Sequence, residues 1–191
     1  MEIRIKEGFT LLEALIVIGI VVIIAGVTLS NFPEFSERIN IEQETGKLVL
    51  FLRKAQTFAL AVREFQPGSG IFPSYGVHLS MDNTEKYFLF ADLNSSNVFE
   101  EFLGEFVEET IFKKRFQIAQ ICGNSQSIPE GPCSLSSADI VYTRPTPTIT
   151  LTGIDSGLPF LYNDIKVVLK SIDGSIEKNV IVWSTGQISV E

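Results

Sequence analysis

The order of apolar and polar positions divides the chain into three stretches. From Ala14 to Pro33 no side chain is charged, and Ile, Val, Leu and Ala dominate. A helix of that length rises about 30 Å, the thickness of a bilayer hydrocarbon core, and a lone span in lipid satisfies its backbone only as a helix. The stretch therefore predicts a transmembrane helix, in which Gly19 and Gly26 fall on different faces and read as tolerated small residues. Beyond Pro33, Ile41, Thr45, Leu48, Leu52, Ala55, Ala59 and Val62 recur at spacings of four and three, widened by Phe51 and Phe58, with Glu42, Glu44, Lys47, Arg53 and Lys54 on the polar side. That is an amphipathic helix whose stripe covers a core. Pro33 lacks an N–H, so a bent or interrupted rod is expected from about Phe9 to Val62 or Phe65.

Gln66-Pro67-Gly68-Ser69-Gly70 breaks the helical pattern, and the period then changes from 3.6 to 2. Strands are expected at Tyr75–Ser80, Lys86–Ala91, Phe116–Cys122, Asp139–Thr143 and Thr148–Thr152, each rich in aromatic or β-branched residues. The clearest hairpin pairs Ile165–Ile172 with Glu177–Trp183 across the Asp173-Gly174 turn, and a short strand, Gln187–Val190, follows Thr185-Gly186. The block Phe99–Phe112 is open between helix and short strands, because its aromatic residues have helical spacing while acidic residues stand between them. The fold class expected is α+β, with one long N-terminal helix, half transmembrane and half amphipathic, packed on an antiparallel β-sheet headgroup. The segments are 1–8 as a leader, 9–33 as the membrane half, 34–65 as the amphipathic half and 66–191 as the headgroup.

Composition narrows this picture. The 191 residues are 45% hydrophobic and 20% charged, which excludes a disordered polyelectrolyte. The mean hydropathy of +0.25 is high for a soluble domain, and residues 14–33 account for the excess. A net charge of −8 opposes a role in wrapping nucleic acid, and from Arg63 onward acidic residues outnumber basic ones sixteen to nine. Ahead of the apolar stretch, Arg4 and Lys6 stand against Glu2 and Glu7 in a segment too short to fold. Positive charge there favours a cytoplasmic N-terminus with the headgroup outside. Residues Ala25–Ser30 offer no Ala-x-Ala pattern, so a retained helix is expected rather than a cleaved secretory signal.

One carboxylate, Glu13, stands just inside the start of the apolar run, in the sequence Gly8-Phe9-Thr10-Leu11-Leu12-Glu13. Two readings are open. An acidic residue inside a span costs roughly 2.5–3.5 kcal/mol near its centre and marks a partner; one at headgroup level simply complements the helix dipole. Taken with the apolar run, the motif resembles the N-terminus of type IV prepilins and type II secretion pseudopilins. The resemblance implies cleavage between Gly8 and Phe9 by a prepilin peptidase that also methylates the amine of Phe9. It implies that Glu13 neutralises the N-terminal amine of a neighbouring subunit, which agrees with the rule that a buried ion is tolerated only when paired. It further implies an inner-membrane protein with an extracytoplasmic headgroup, whose partners are other pilin or pseudopilin subunits and the membrane assembly platform. Such a protein is a structural subunit and not an enzyme.

The strand Tyr87–Asn94 with its exit, and the terminal segment Ile181–Val190, are similar to the GspH/FimT-like minor pseudopilins and minor pilins. DNA-binding members of that wider group use basic surface residues, and here the one basic run is Lys113-Lys114-Arg115. Against the acidic balance, a solvated basic spot or a contact with an acidic neighbour is the preferred reading, and DNA uptake is the alternative. An uncleaved signal-anchored domain is a further one. Cys122 and Cys133 flank a Gly-, Ser- and Pro-containing loop; an extracytoplasmic headgroup permits a disulfide, and two free thiols stay open. Two cysteines and one histidine are too few for a structural zinc site. His78 has no recognisable Ser, Cys or carboxylate partner in sequence and reads as solvated or packed. Asp92, Asn94 and Ser96 alternate like calcium ligands, and some pseudopilin headgroups bind calcium. An EF-hand loop, however, would need Gly at Asn97 and an acidic residue at Leu103, so a turn built on Asx hydrogen bonds is expected and no cofactor.

Overall fold

The computed structural model describes residues 9–113, 115–125, 131, 133–144 and 148–191, and for 28–34 the backbone only. Contacts divide the chain into two units, one ending at Ile39 and one beginning at Asn40. A single helix, α1 (Leu11–Leu60), contributes to both.

In the first unit the helix opens on a side-chain cap. Thr10 Oγ1 accepts the amide of Glu13 at 3.2 Å, and the Thr10 carbonyl accepts the amide of Ala14, the first bond of the ladder. The leucines, isoleucines and valines from Leu11 to Val27 are exposed, from 85% at Leu11 to 48% at Val17. The helix is not interrupted at Pro33, contrary to one form of the expectation. Proline removes one donor but keeps a helical φ, so the ladder resumes beyond it. Among the described residues no helix is long and apolar enough to cross a membrane. The described side chains of the apolar stretch stop at Val27, so residues 14–33 lie only partly within that statement.

In the second unit the remainder of α1 packs on two antiparallel sheets. The first has six strands in the order β3 (Phe106–Ile111), β2 (Lys86–Asp92), β1 (Ser74–Ser80), β5 (Ser137–Tyr142), β6 (Ile149–Asp155) and β7 (Leu158–Leu161). The second has four, β10 (Ile188–Val190), β9 (Glu177–Trp183), β8 (Asp164–Ser171) and β4 (Phe116–Asn124). The helical stripe is buried as expected at Ile41, Thr45, Leu48, Phe51, Leu52, Ala55 and Ala59, and Phe51 and Phe58 meet the rings of Tyr87 and Tyr75 edge-on. One apolar cluster joins these residues to Val77, Leu79 and Leu89 of the first sheet and to Ile118, Val167, Leu169 and Val182 of the second.

Three expectations change at the residue level. Val62 lies beyond the helix end, exposed, with φ of 52°. The Arg63 amide donates to the Phe58 carbonyl and the Val62 amide to Ala59, a left-handed C-terminal turn that stops the helix before Phe65. Glu44, placed on the polar side by its spacing, is fully buried. The connection from β3 to β4 folds over it, so its oxygens accept the Lys113 amide at 3.3 Å and the Lys47 ammonium at 2.8 Å. The ambiguous block 99–112 resolves into a single 3-10 turn, Glu101–Leu103, and the edge strand β3.

The two sheets meet around Tyr162. A Cβ on Gly123 of β4 would lie 2.5 Å from that ring, and one on Gly153 of β6 would lie 2.7 Å from it. Both strands carry glycine where the phenol ring presses on the backbone.

Candidate functional site

The N-terminal motif is described from Phe9 onward; Gly8, and with it the expected scissile bond, lies outside the described residues. Phe9 is 76% exposed, and Glu13 stands in the first turn of α1. Thr10 and Glu13 occupy the N-cap and third helical positions of a Thr-x-x-Glu sequence, so the segment that carries the motif also starts the helix. A carboxylate in a first turn complements the partial positive charge of the helix N-terminus. Glu13 is exposed there, beside a broad band of exposed aliphatic side chains.

Of the basic run, Lys113 and Arg115 are exposed. Lys113 Nζ is held by Asn40 Oδ1 at 2.9 Å and Gln43 Oε1 at 3.2 Å, both on α1. The Arg115 carbonyl accepts the Ile172 amide, and Lys114 lies outside the described residues. Cys122 and Cys133 form a disulfide with an S–S length of 2.06 Å, which settles the choice left open by the sequence. Cys122 is buried in β4 and Cys133 lies ahead of β5.

The Asp92–Ser96 segment is an Asx turn, as expected. Asp92 Oδ1 accepts the Ser96 amide and Oδ2 the Asn97 amide, while Asn94 Oδ1 also accepts from Ser96. Glu105, fully buried, accepts the Leu93 and Glu100 amides from the same connection. Two carboxylates thus stitch residues 93–104 across the face of the six-stranded sheet that turns away from α1. Burial raises the pKa of both above ordinary carboxylate values, against the lowering effect of those amide hydrogen bonds. Among the described residues no group of three or more His, Cys, Asp or Glu side chains is arranged to hold a metal ion.

His78 has a partner that the sequence did not reveal. Antiparallel register sets it opposite Asp139 on β5 and opposite Phe88 on β2. Its Nδ1 lies 2.7 Å from Asp139 Oδ1, and Asp139 is fully buried with no partner on Oδ2. Burial pushes the Asp139 carboxyl upward, opposed by the hydrogen bond and charge of His78. The imidazole packs against Phe99 at 4.9 Å between centroids, and Phe99 also meets Phe88 and Phe90. These rings floor a cleft of about 580 Å³, open to solvent and lined also by Ser80, Lys86, Glu101 and Glu109. The separation of sixty-one positions between His78 and Asp139 explains why neither periodicity nor local spacing points to the pair.

Comparison with family models, curated proteins and solved structures finds no match to this chain.

Proposed function

We propose that this chain is a prepilin-like structural subunit, a minor pilin or pseudopilin, that is cut between Gly8 and Phe9 and assembles through α1 into a type IV pilus or type II secretion pseudopilus. The observation that carries the reading is the join of Gly8-Phe9-Thr10-Leu11-Leu12-Glu13 to an uncharged run reaching Pro33. The described part of that run is helical and exposes its aliphatic side chains. Water disfavours so much apolar surface, whereas lipid and a bundle of like helices both accept it. In this reading residues 14–33 anchor the precursor in the inner membrane and then pass into the filament core. Glu13 pairs with the N-terminal amine of the neighbouring subunit, and the extracytoplasmic headgroup selects the subunits or cargo it meets. The polypeptide is a structural and interaction protein in this account, not an enzyme. The acidic balance of the headgroup, sixteen acidic against nine basic residues from Arg63 onward, weighs against DNA uptake.

Intact-mass and N-terminal peptide spectrometry tests this on protein taken from membranes that contain the processing peptidase. A mature chain beginning at N-methylated Phe9 is expected. Retention of Met1–Gly8 under those conditions overturns the proposal.

A further inference from the structure

Among the described residues no α-helix covers the face of the six-stranded sheet opposite α1; the connection from β2 to β3, with its 3-10 turn, borders it. That face carries the cleft in which Phe88, Phe99 and Phe106 stand beside Glu101, Glu109 and Asp82. Aromatic faces bear negative charge and carboxylates add to it, so such a lining attracts a cation that can give up part of its water. The protein already uses the site this way. Lys86 Nζ lies 4.9 Å over the Phe88 ring and 3.4 Å from Glu109, a partly exposed arrangement at one end of the cleft. Beneath the floor, Asp139 adds a buried carboxyl whose Oδ2 has no hydrogen-bond partner. Three rim carboxylates and Asp139 face only Lys86 and His78, so the cleft carries more acidic than basic groups.

The border of the cleft defines the form of the occupant. Phe106 and Glu109 belong to β3, the terminal strand of the sheet, so among the described strands no neighbour pairs with its outer side. Glu109 lies opposite Phe88 and Ile111 opposite Lys86 in the β2–β3 register, which sets both on the cleft side, while Glu108 reaches Lys54 of α1 on the other. An extended polypeptide paired with β3 would direct every second side chain toward the cleft.

We propose that the outer edge of β3 and the adjoining cleft dock an extended segment of a partner protein that presents a Lys or Arg side chain to the rings and carboxylates of the cleft. Backbone pairing with β3 supplies the register, and the cation supplies specificity against neutral or acidic segments. The proposal does not depend on processing at Gly8 and holds for the headgroup in any setting.

The test uses the full chain in detergent and two fluorescein-labelled seven-residue peptides. Both alternate threonine and valine; one carries arginine at its centre and the other glutamate. Fluorescence anisotropy is expected to show the arginine peptide binding at least about tenfold more tightly, a difference of about 1.4 kcal/mol. The pair Glu101→Gln with Glu109→Gln should reduce that preference about fivefold or more, while Glu177→Gln on β9, in the other sheet, should leave it unchanged. Equal binding of the two peptides overturns the proposal. So does an equal loss in the Glu177→Gln control, which would reflect net charge alone, or full competition by arginine amide at the peptide's own concentration, which would mean a small-cation site.

Discussion

Val62 ends α1 with a φ of 52°, a conformation in which a β-branched side chain crowds its own backbone. Glycine is the usual residue at this position of a left-handed C-terminal turn, because it has no Cβ to crowd. The Val62 side chain is 47% exposed, so little burial is lost by removing it. Val62→Gly is therefore expected to raise stability by about 1 kcal/mol, the relief of strain exceeding the added freedom of glycine in the unfolded chain. Urea denaturation with an unchanged m-value and a higher midpoint would bear this out; a lower midpoint would show that the valine makes a packing contribution larger than its strain. The same scale shows what the linear pattern hid. Glu44 sits among polar residues on its helix and is buried only because the chain returns sixty-nine residues later to place the Lys113 amide on it. His78 found its carboxylate in the same way, through strand register rather than spacing.

At the scale of elements, the strands that were legible are those whose alternation is set by one buried face. Val77 and Leu79 alternate with His78 in β1, and Val180 and Val182 with Ile181 in β9, so the period of two survives in the letters. β7 was not legible, because all four of its residues, Leu158–Leu161, are exposed and one is proline, the residue an outermost strand tolerates. β3 was obscured by two acidic residues with different duties: Glu108 reaches toward Lys54 on α1 while Glu109 faces outward to Lys86. The helix was legible in its start and its apolar stripe but not at Pro33, which does not interrupt it, nor at its end, where hydrogen bonding rather than hydrophobicity decides the last residue.

The disulfide belongs to this scale too, since it ties β4 to the segment leading into β5 across a sequence separation of 11. Closing a loop of that size removes unfolded-state freedom equivalent to roughly 2–3 kcal/mol. Replacing both cysteines, Cys122→Ala with Cys133→Ala, should lower the unfolding free energy by about that amount while leaving far-ultraviolet dichroism unchanged. A variant as stable as the parent would mean that the β4–β5 connection is already confined by other contacts, such as the Asn124 side-chain carbonyl on the Gly131 amide.

For the headgroup as a whole, the acidic groups on the face away from α1 set a dependence on pH opposite to that of most folded proteins. Asp92, Glu105 and Asp139 all have their carboxyls raised by burial above the ordinary values of 3.8 for Asp and 4.5 for Glu. A group whose folded pKa is raised stabilises fully below its unfolded value and loses that contribution as pH rises through the folded one. Asp173 runs the other way, lowered to about 2 by the Ser171 hydroxyl and by Ser175, so its contribution is present above 3.8 and fades only in stronger acid. Between neutral pH and the ordinary carboxylate range the three buried groups therefore dominate, and the midpoint of urea denaturation is expected to rise as pH is lowered from 7 toward 5. The double substitution Asp139→Asn with Glu105→Gln removes two of the three titrations and keeps each side chain's shape and an acceptor oxygen, so its midpoint should vary less across the same range. A parent midpoint that falls steadily between pH 7 and 5 would contradict this account, and would mean that the hydrogen bonds from Leu93, Ser96, Asn97, Glu100 and His78 outweigh the desolvation of the carboxylates that accept them.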